Sequence, residues 1–285
     1  MTTITQSKAV PAAIPAPIRG SNLRWFVADT LQLAGRNLAH IRQVPEKLID
    51  VTVQPLMFVL LFAYVFGGAI DIPGGNYNEY LMAGIFVQTI GFGIVGPATA
   101  IATDLSDGII DRLRSLPINR SAYLFGHVLA EFMASMLALV LMTISGLVVG
   151  WRIDSDIYHA VAGYGLLILF MLAMIWTGTL VGLMVRAADA VTGIAFMVIF
   201  PLTFIANTFV PVGTLPTVLR VFAEWNPVSA MTQACRQLFG NPSALSGDPA
   251  WPMEHPVITS LFWCIGLLAI TIPLSIRAYR ARTSN

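Results

Sequence analysis

Six long stretches of this chain contain no Asp, Glu, Lys or Arg, and they limit its possible folds more than any other feature. They are Val51–Ile70, Tyr80–Thr103, Phe132–Trp151, Ala160–Val185, Ala190–Leu219 and Pro256–Ile276. A helix that crosses about 30 Å of hydrocarbon needs roughly 20 mostly apolar residues. The stretches are continuous, whereas the strands of a membrane barrel alternate between apolar and polar residues. We therefore predict an all-α integral membrane protein with six transmembrane helices.

The low charge content excludes several other classes of protein. Charged residues make up 11% of the 285 residues, whereas a soluble domain contains about 25%. The formal net charge is only +1. These values argue against a soluble globule, a disordered chain and a basic nucleic-acid-binding protein, so we expect no nucleic-acid partner.

Proline positions and capping residues refine the ends of the spans. The predicted spans are about 48–70, 80–103, 121–150, 158–185, 190–210 and 256–276. The third begins early because Ser121 can cap a helix that starts after Pro117, and the fifth ends near Val210 because Pro211 and Pro216 follow. Residues 1–21 are rich in Pro and Ala and are predicted to be a flexible cytoplasmic tail, which leaves 22–285 as a single transmembrane domain.

The distribution of Lys and Arg predicts how the spans are oriented. Thirteen of the 16 basic residues fall in the segments before span one, between spans two and three, between spans four and five, and after span six. Those segments share one side of the membrane. Both termini are therefore predicted to be cytoplasmic, in a multi-pass protein of the plasma or inner membrane.

Residues 22–43 have the pattern of an amphipathic helix that precedes the first span. One face carries the apolar residues Leu23, Phe26, Val27, Leu31, Ala34, Leu38 and Ile41. Such a helix can lie in the cytoplasmic interface as an elbow before the span. Packing on the helical bundle without lipid contact is the alternative.

The cytoplasmic segment Asp104–Arg120, with the sequence DLSDGIIDRLRSLPINR, is longer than a simple link between two spans requires. Helical spacing places Leu105, Ile109, Leu113 and Leu116 in one apolar stripe, and Pro117 is expected to end the helix. The stripe must be covered, either by a groove on a partner protein or by the chain's own elbow helix or the lipid interface.

The longest segment on the opposite side is Pro211–His255. Apolar residues at near-helical spacing on both sides of Trp225-Asn226-Pro227 predict two short helices that fold back toward the membrane. Irregular backbone at that depth has to be protected by protein. This element could cover a transport pathway, or it could be a surface loop with aromatic anchors at the headgroups.

Few residues in the chain could carry chemistry. Glu131 is the one carboxylate near the interior of a span, where it could line a pathway or bond to Arg120 or His127. Cys235 and Cys264 form no disulfide framework, and no metal spacing or catalytic signature is present. The phosphate-binding pattern GxxxxGK[ST] is also absent, so nucleotide is not bound through that loop. Gly146-xxx-Gly150 and Gly178-xxx-Gly182 permit close helix packing.

Four motifs together resemble a known family from about Arg24 to Arg282. They are FVLLFAYVFGG at Phe58–Gly68, YLMAGIFVQ at Tyr80–Gln88, the segment Asp104–Arg120, and NPVSAMTQACRQLFG at Asn226–Gly240. The chain resembles the membrane subunit of type-2 ABC exporters, near the daunorubicin-resistance permeases. It departs from a common version of the family in having Met82-Ala83-Gly84 where Pro-Gly is usual.

The resemblance implies a location for the contact with an ATPase. Residues matching the family's coupling loop are Asp104, Gly108, Asp111, Arg112, Leu116 and Pro117, and the apolar stripe adds Leu105, Ile109 and Leu113 to this candidate surface. Residues matching the external hairpin are Asn226, Pro227, Arg236 and Gly240.

The resemblance also implies partners and a mechanism. Two permease subunits, the same or related, would form one pathway in the bilayer, and two separate ATPase chains would bind ATP and Mg. This chain would bind no cofactor and would not itself be an enzyme. Alternating access would export hydrophobic or amphipathic molecules such as antibiotics or lipids. The alternatives are an ion-coupled secondary transporter that uses Glu131, a membrane enzyme, and a purely structural subunit.

Overall fold

A computed structural model describes residues 56–66, 76–110, 120–185, 188–209, 211–243 and 249–283. It also describes residues 27–28, 30–32, 34–35 and 53. Every regular element within these ranges is helical. The predicted tail 1–21 lies outside the described residues.

Ten helices whose bounds lie in the described ranges are labelled α1 to α10 in chain order. They are α1 (Leu56–Val65), α2 (Tyr77–Phe92), α3 (Val95–Ser106), α4 (Arg120–Val149), α5 (Ile157–Met184), α6 (Ala188–Phe204), α7 (Thr217–Trp225), α8 (Pro227–Phe239), α9 (Trp251–Glu254) and α10 (Pro256–Thr283). A π-helical turn occupies Phe62–Phe66 at the end of α1, and a 3₁₀ turn occupies Val212–Thr214.

Four helical segments within the described ranges are long and apolar enough to cross a membrane. They are Tyr77–Ser106, Ala122–Val149, Ile157–Met184 and Pro256–Arg282. The first combines α2 and α3, which meet at a turn over Gly93 and Ile94. The predicted spans 48–70 and 190–210 correspond to the shorter apolar helices Leu56–Val65 and Ala190–Phe204. Over its described residues the chain is therefore all-helical, with the character of an integral membrane protein.

The predicted end of the fifth span requires a correction. We expected that helix to continue to about Val210, but α6 ends at Phe204 and residues 205–209 form a bend and turn. The helix is not simply stopped by Pro211, because side chains from other helices bond to the backbone carbonyls of this turn. Those bonds replace the intrahelical hydrogen bonds that a longer α6 would have made.

Helix α5 lies at the centre of the bundle. It packs most extensively against α10 and α3, and it also contacts α8 and α4. The predicted close approach at Gly178 and Gly182 is confirmed, because a Cβ atom at either position would lie 2.3 Å from a backbone carbonyl oxygen of Ile94 or Ala98. The absence of side chains at these two positions therefore sets the distance between α5 and α3.

Helices α4 and α10 lie at the periphery and expose apolar side chains. Only 17% of the most apolar window of the α4 span and 22% of that of α10 are buried, compared with 67% for α5. Exposed side chains on α4 include Met133, Leu137, Val140, Ile144 and Val148. An exposed apolar surface of this extent is typical of contact with lipid or with another membrane protein.

The described residues within 22–43 are helical, as the pattern predicts. Val27 and Leu31 are exposed, and Ala34 is buried. The other residues predicted on the same face, Leu23, Phe26, Leu38 and Ile41, lie outside the described residues. The position of an elbow helix thus stays a prediction.

Candidate functional site

Segment 104–120 begins as part of a span, so the predicted cytoplasmic helix does not start at Asp104. Asp104 and Leu105 belong to the last turn of α3, which ends at Ser106. Gly108 follows with a φ of +66°, a left-handed conformation that glycine adopts without a Cβ clash and that ends a helix. A continuous amphipathic helix from Asp104 is therefore interrupted at Gly108.

The predicted apolar stripe is only partly matched. Leu105 packs against the chain's own hydrophobic core, and Ile110 is buried in that core although the stripe used Ile109. Ile109 is half-buried. The turn at Gly108 changes the helical phase, so spacing counted from Leu105 does not predict the residues beyond it. The other candidate coupling residues, Asp111, Arg112, Leu113, Leu116 and Pro117, lie outside the described residues.

Hydrogen bonds join the end of α3 to the beginning of α4. The Tyr123 hydroxyl donates to Asp104 Oδ2 at 2.6 Å. One turn further along α4, His127 Nε2 lies 3.2 Å from the Pro97 carbonyl oxygen. A carbonyl oxygen only accepts, so Nε2 must carry the proton in this contact. The two helices are thus joined by polar contacts at two levels.

Aromatic rings extend this contact to the last helix. The Tyr123 ring stacks on the Tyr279 ring of α10, with centroids 5.7 Å apart and planes 14° apart. On its own helix, Tyr123 lies 6.4 Å from the His127 ring, with an angle of 15°. Both distances lie within the range of about 4.5–7 Å over which aromatic pairs attract. Tyr123 of α4 therefore contacts both α3 and α10, and the three helices are joined at one end of the bundle.

Glu131 continues the same face of α4. It lies two turns from Tyr123, is half-buried, and its Oε2 would be 3.2 Å from a Cβ atom at Gly96 of α3. The carboxylate is therefore placed at the seam between α3 and α4.

The opposite end of the bundle contains a polar cluster that the sequence did not predict. Two tyrosines of α2 bond to the turn that follows α6. The Tyr80 hydroxyl donates to the Asn207 carbonyl at 3.0 Å, and the Tyr77 hydroxyl donates to the Phe209 carbonyl at 3.4 Å. The backbone of this turn also approaches α2 closely at Gly84, where a Cβ atom would lie 2.2 Å from the Thr208 carbonyl oxygen. The turn therefore packs directly against α2.

Arg236 of α8 is the centre of this cluster. Its side chain is fully buried. Nε donates to the Tyr80 carbonyl at 2.9 Å, and Nη2 donates to the carbonyls of Asn207 at 2.9 Å and Thr208 at 3.1 Å. The guanidinium carbon also lies 3.4 Å from the centroid of the Tyr80 ring, a cation–π contact. In the part of the chain that the structure describes, no carboxylate pairs with this cation. We name Tyr80, Asn207, Thr208 and Arg236 the Arg236 cluster.

Asn226 joins the same turn to the start of α8. Its Oδ1 accepts from the Val228 backbone N–H at 2.9 Å, which caps the helix, and Pro227 occupies the first turn. Its Nδ2 donates to the carbonyls of Leu202 at 2.7 Å and Ile205 at 3.0 Å. One side chain thus supplies an acceptor for a backbone N–H at the beginning of α8 and donors for two backbone carbonyls at the end of α6.

Gly240 ends α8 and is required there for two reasons. Its φ is +73°, and a Cβ atom would lie 2.9 Å from the Asp154 carbonyl carbon. Its backbone N–H points to the carbonyls of Arg236 and Gln237. The four candidate hairpin residues Asn226, Pro227, Arg236 and Gly240 therefore define the beginning, the buried face and the end of α8.

Two short helices predicted between the last two spans are present, with the break at Asn226 as expected. Helix α8 is largely buried, whereas α7 exposes Val218, Val221, Phe222 and Trp225. On the other face of α7, Arg220 Nε bonds to Glu224 Oε1 at 2.9 Å. The predicted apolar residues Leu219 and Phe222 are thus exposed within this chain rather than packed on it.

The described residues contain no cluster of side chains with the composition of a metal site. No group of three or more His, Cys, Asp or Glu side chains in the described ranges could hold a metal ion. Cys235 and Cys264 are free and buried. An apolar groove of about 390 Å³ lies between α4 and α5, where the Tyr164 hydroxyl bonds to Thr143 Oγ1 at 3.2 Å.

The structure has a packed central helix surrounded by helices with exposed apolar faces. This arrangement is that of a multi-pass helical membrane protein. The profile of the ABC-2 type transporter family matches residues 29–239. The chain belongs to this family, whose members are permease subunits that work with ATPase subunits.

Two of three named relatives match nearly the whole chain, and the third matches about three quarters of it. The daunorubicin resistance ABC transporter permease protein DrrB1 of Streptomyces coeruleorubidus is 30% identical over 98% of this chain and 94% of its own length. A probable doxorubicin resistance ABC transporter permease protein, DrrC of Mycobacterium tuberculosis, is 25% identical over 99% of each chain. A putative transport permease, ycf38 of Cyanophora paradoxa, is 22% identical over 78% of this chain and 77% of its own. These matches confirm the predicted family and do not favour the ion-coupled alternative.

Proposed function

We propose that this chain is the membrane subunit of an ATP-driven exporter that moves hydrophobic or amphipathic molecules, drugs or lipids, out of the cytoplasm or the inner leaflet. The full-length similarity to a daunorubicin resistance permease is the observation that carries the proposal. Since permeases of this family work with ATPase subunits, ATP and Mg are expected on a separate partner chain.

The proposed assembly contains two copies of the ATPase and a second permease subunit, the same or related. Each permease would have six spans with both termini in the cytoplasm of a cell membrane, an elbow helix within 22–43, and a re-entrant hairpin formed by α7 and α8. The exposed apolar faces of α4 and α10 support the membrane location. Under this orientation, Asp104 and Tyr123 lie at the cytoplasmic end and the Arg236 cluster lies at the external end.

Segment 104–120 is the proposed site of coupling to the ATPase. Its residues 104–110 are joined directly to the span that contains α3. ATP-driven closure of the ATPase dimer would move this segment and shift the spans between inward-open and outward-open states. Glu131, half-buried at the seam of α3 and α4, is a candidate for lining the pathway.

Reconstitution tests the proposal. The permease is combined in proteoliposomes with the separate ATPase that we expect a neighbouring reading frame to encode, and ATP-dependent accumulation of daunorubicin is measured. We expect accumulation with ATP and little with a nonhydrolysable analogue. Replacement of Leu113→Asp should release the ATPase in a pull-down or abolish accumulation while ATP hydrolysis continues. Uptake that needs a proton gradient and no ATP would contradict the proposal.

A further inference from the structure

A hydrogen bond between Asp104 and Tyr123 joins the two ends of segment 104–120, which we call its base. Asp104 lies in the last turn of α3 and Tyr123 in the first turn of α4, and the segment connects these two helices. The bond between the Tyr123 hydroxyl and Asp104 Oδ2 is 2.6 Å long, within the range of about 2.5–2.7 Å that is typical of a hydroxyl donating to a charged carboxylate. Such a bond is roughly twice as strong as a neutral one.

The segment is covalently joined to α3 at one end and to α4 at the other, so a movement of the segment can be transmitted to either helix. Without the bond at the base, the two helix ends would be less tightly coupled at the point where the segment joins them. With it, the two ends move together, and the His127 contact with the Pro97 carbonyl repeats the connection one turn deeper along α4. The stacking of Tyr123 on Tyr279 extends this connection to α10, a helix that does not adjoin the segment in sequence.

We propose that Tyr123 is the positioning residue that transmits movement of segment 104–120 to helices α4 and α10. The proposal rests on the proposed coupling role of that segment. The hydroxyl joins α3 to α4 and the ring joins α4 to α10. Tyr123 makes both contacts with a single rigid side chain, so the movement is passed on without rotamer changes.

The test uses Tyr123→Phe, which keeps the ring and removes the hydroxyl. The complete permease–ATPase complex is reconstituted in proteoliposomes, and daunorubicin accumulated per ATP hydrolysed is measured. We expect about a tenfold lower ratio, with ATPase capture and thermal stability unchanged. Tyr164→Phe is the matched control, since it also removes a hydrogen-bonded tyrosine hydroxyl from a span, but at the opposite end of the bundle. It should leave the ratio unchanged.

A double-mutant cycle assigns the effect to the bond itself. Asp104→Ala alone removes the acceptor, and adding Tyr123→Phe to it should lower the transport ratio no further. A wild-type ratio for Tyr123→Phe would overturn the proposal. Equal losses in Tyr123→Phe and Tyr164→Phe, or a loss explained by poor ATPase capture or lower stability, would overturn it as well.

The result separates the two proposals. If Leu113→Asp uncouples the complex while Tyr123→Phe does not, segment 104–120 contacts the ATPase and only the role of Tyr123 is wrong. If Leu113→Asp affects neither ATPase capture nor transport, the coupling role of the segment itself is wrong.

Discussion

Replacement of Arg236→Met should destabilise the protein strongly, because Arg236 is fully buried and its guanidinium joins α8 to two other parts of the chain. Three hydrogen bonds to carbonyls and one cation–π contact would be lost. Methionine is apolar and fills part of the space, so the change removes the charge without introducing a new polar group.

The expected loss in the free energy of unfolding depends on which hydrogen-bond donors remain for each of the three carbonyls. The Tyr80 carbonyl lies inside α2, where the helix supplies a donor, and the Asn207 carbonyl still accepts from the Tyr80 hydroxyl. The Thr208 carbonyl loses the donor it has from Arg236. An unsatisfied buried acceptor costs about 1–3 kcal/mol, and a desolvated cation–π contact contributes about 2 kcal/mol. Removing a buried charge also removes its desolvation penalty, so we expect a net loss of about 2–4 kcal/mol.

The assay is the free energy of unfolding in lipid-containing mixed micelles, measured with increasing denaturant. Arg152→Met is the matched control, because Arg152 is an exposed arginine that also donates to backbone carbonyls, those of Leu147 and Trp151. A hydrogen bond of this kind contributes about 0.5–1.5 kcal/mol net. If Arg236→Met costs no more than Arg152→Met, then the contacts of the Arg236 cluster do not stabilise the fold and the reasoning is refuted.

Three further predictions concern packing, capping and orientation. Gly182→Ala should cost about 1–3 kcal/mol through overpacking against α3, whereas Gly165→Ala on the same helix meets nothing within 4 Å and should not destabilise; unfolding measurements on both variants check this. Asn226→Ala loses the helix cap, which costs about 1 kcal/mol, and Asn226→Asp should be less stable still in the same measurement, because it keeps the cap but places a buried carboxylate oxygen against the Leu202 and Ile205 carbonyl oxygens. Since both native cysteines are buried, Ser106→Cys should react with a membrane-impermeant maleimide only after the cells are opened, and Tyr158→Cys should react in intact cells; the reverse result would invert the orientation.

Local features of the sequence predicted the helices well. The charge-free stretches coincide with four helices long enough to span a membrane and with two shorter apolar helices, and Trp225-Asn226-Pro227 correctly placed the break between α7 and α8. The close approach at Gly178 and Gly182 was also predicted. Each of these features depends on residues within a few turns of one another, which is the range over which sequence periodicity carries information.

The polar clusters could not be predicted because their partners are distant in sequence. Arg236 bonds to Tyr80, which lies 156 residues away, and no periodic pattern specifies such a pair. Helical spacing failed at Gly108 for a different reason, since a left-handed residue resets the phase of the helix. The available signal for the Arg236 cluster was an arginine in a helix predicted to fold back toward the membrane, since an unpaired buried charge is costly and requires polar partners.

The contacts along the span Tyr77–Ser106 divide it into two parts that pack against different neighbours. At one end, α2 is bonded through Tyr80 to the turn after α6 and to Arg236 of α8. At the other end, α3 approaches the backbone of α5 at Gly178 and Gly182. The helix is interrupted between these parts, at Gly93 and Ile94, and the Ile94 carbonyl is one of the atoms that Gly178 approaches most closely. A change in the position of α3 should therefore be carried by α5. The turn at Gly93 should take up the difference from α2, because the Ile94 N–H bonds there to the Gly91 carbonyl, three residues back, and so departs from the α-helical pattern.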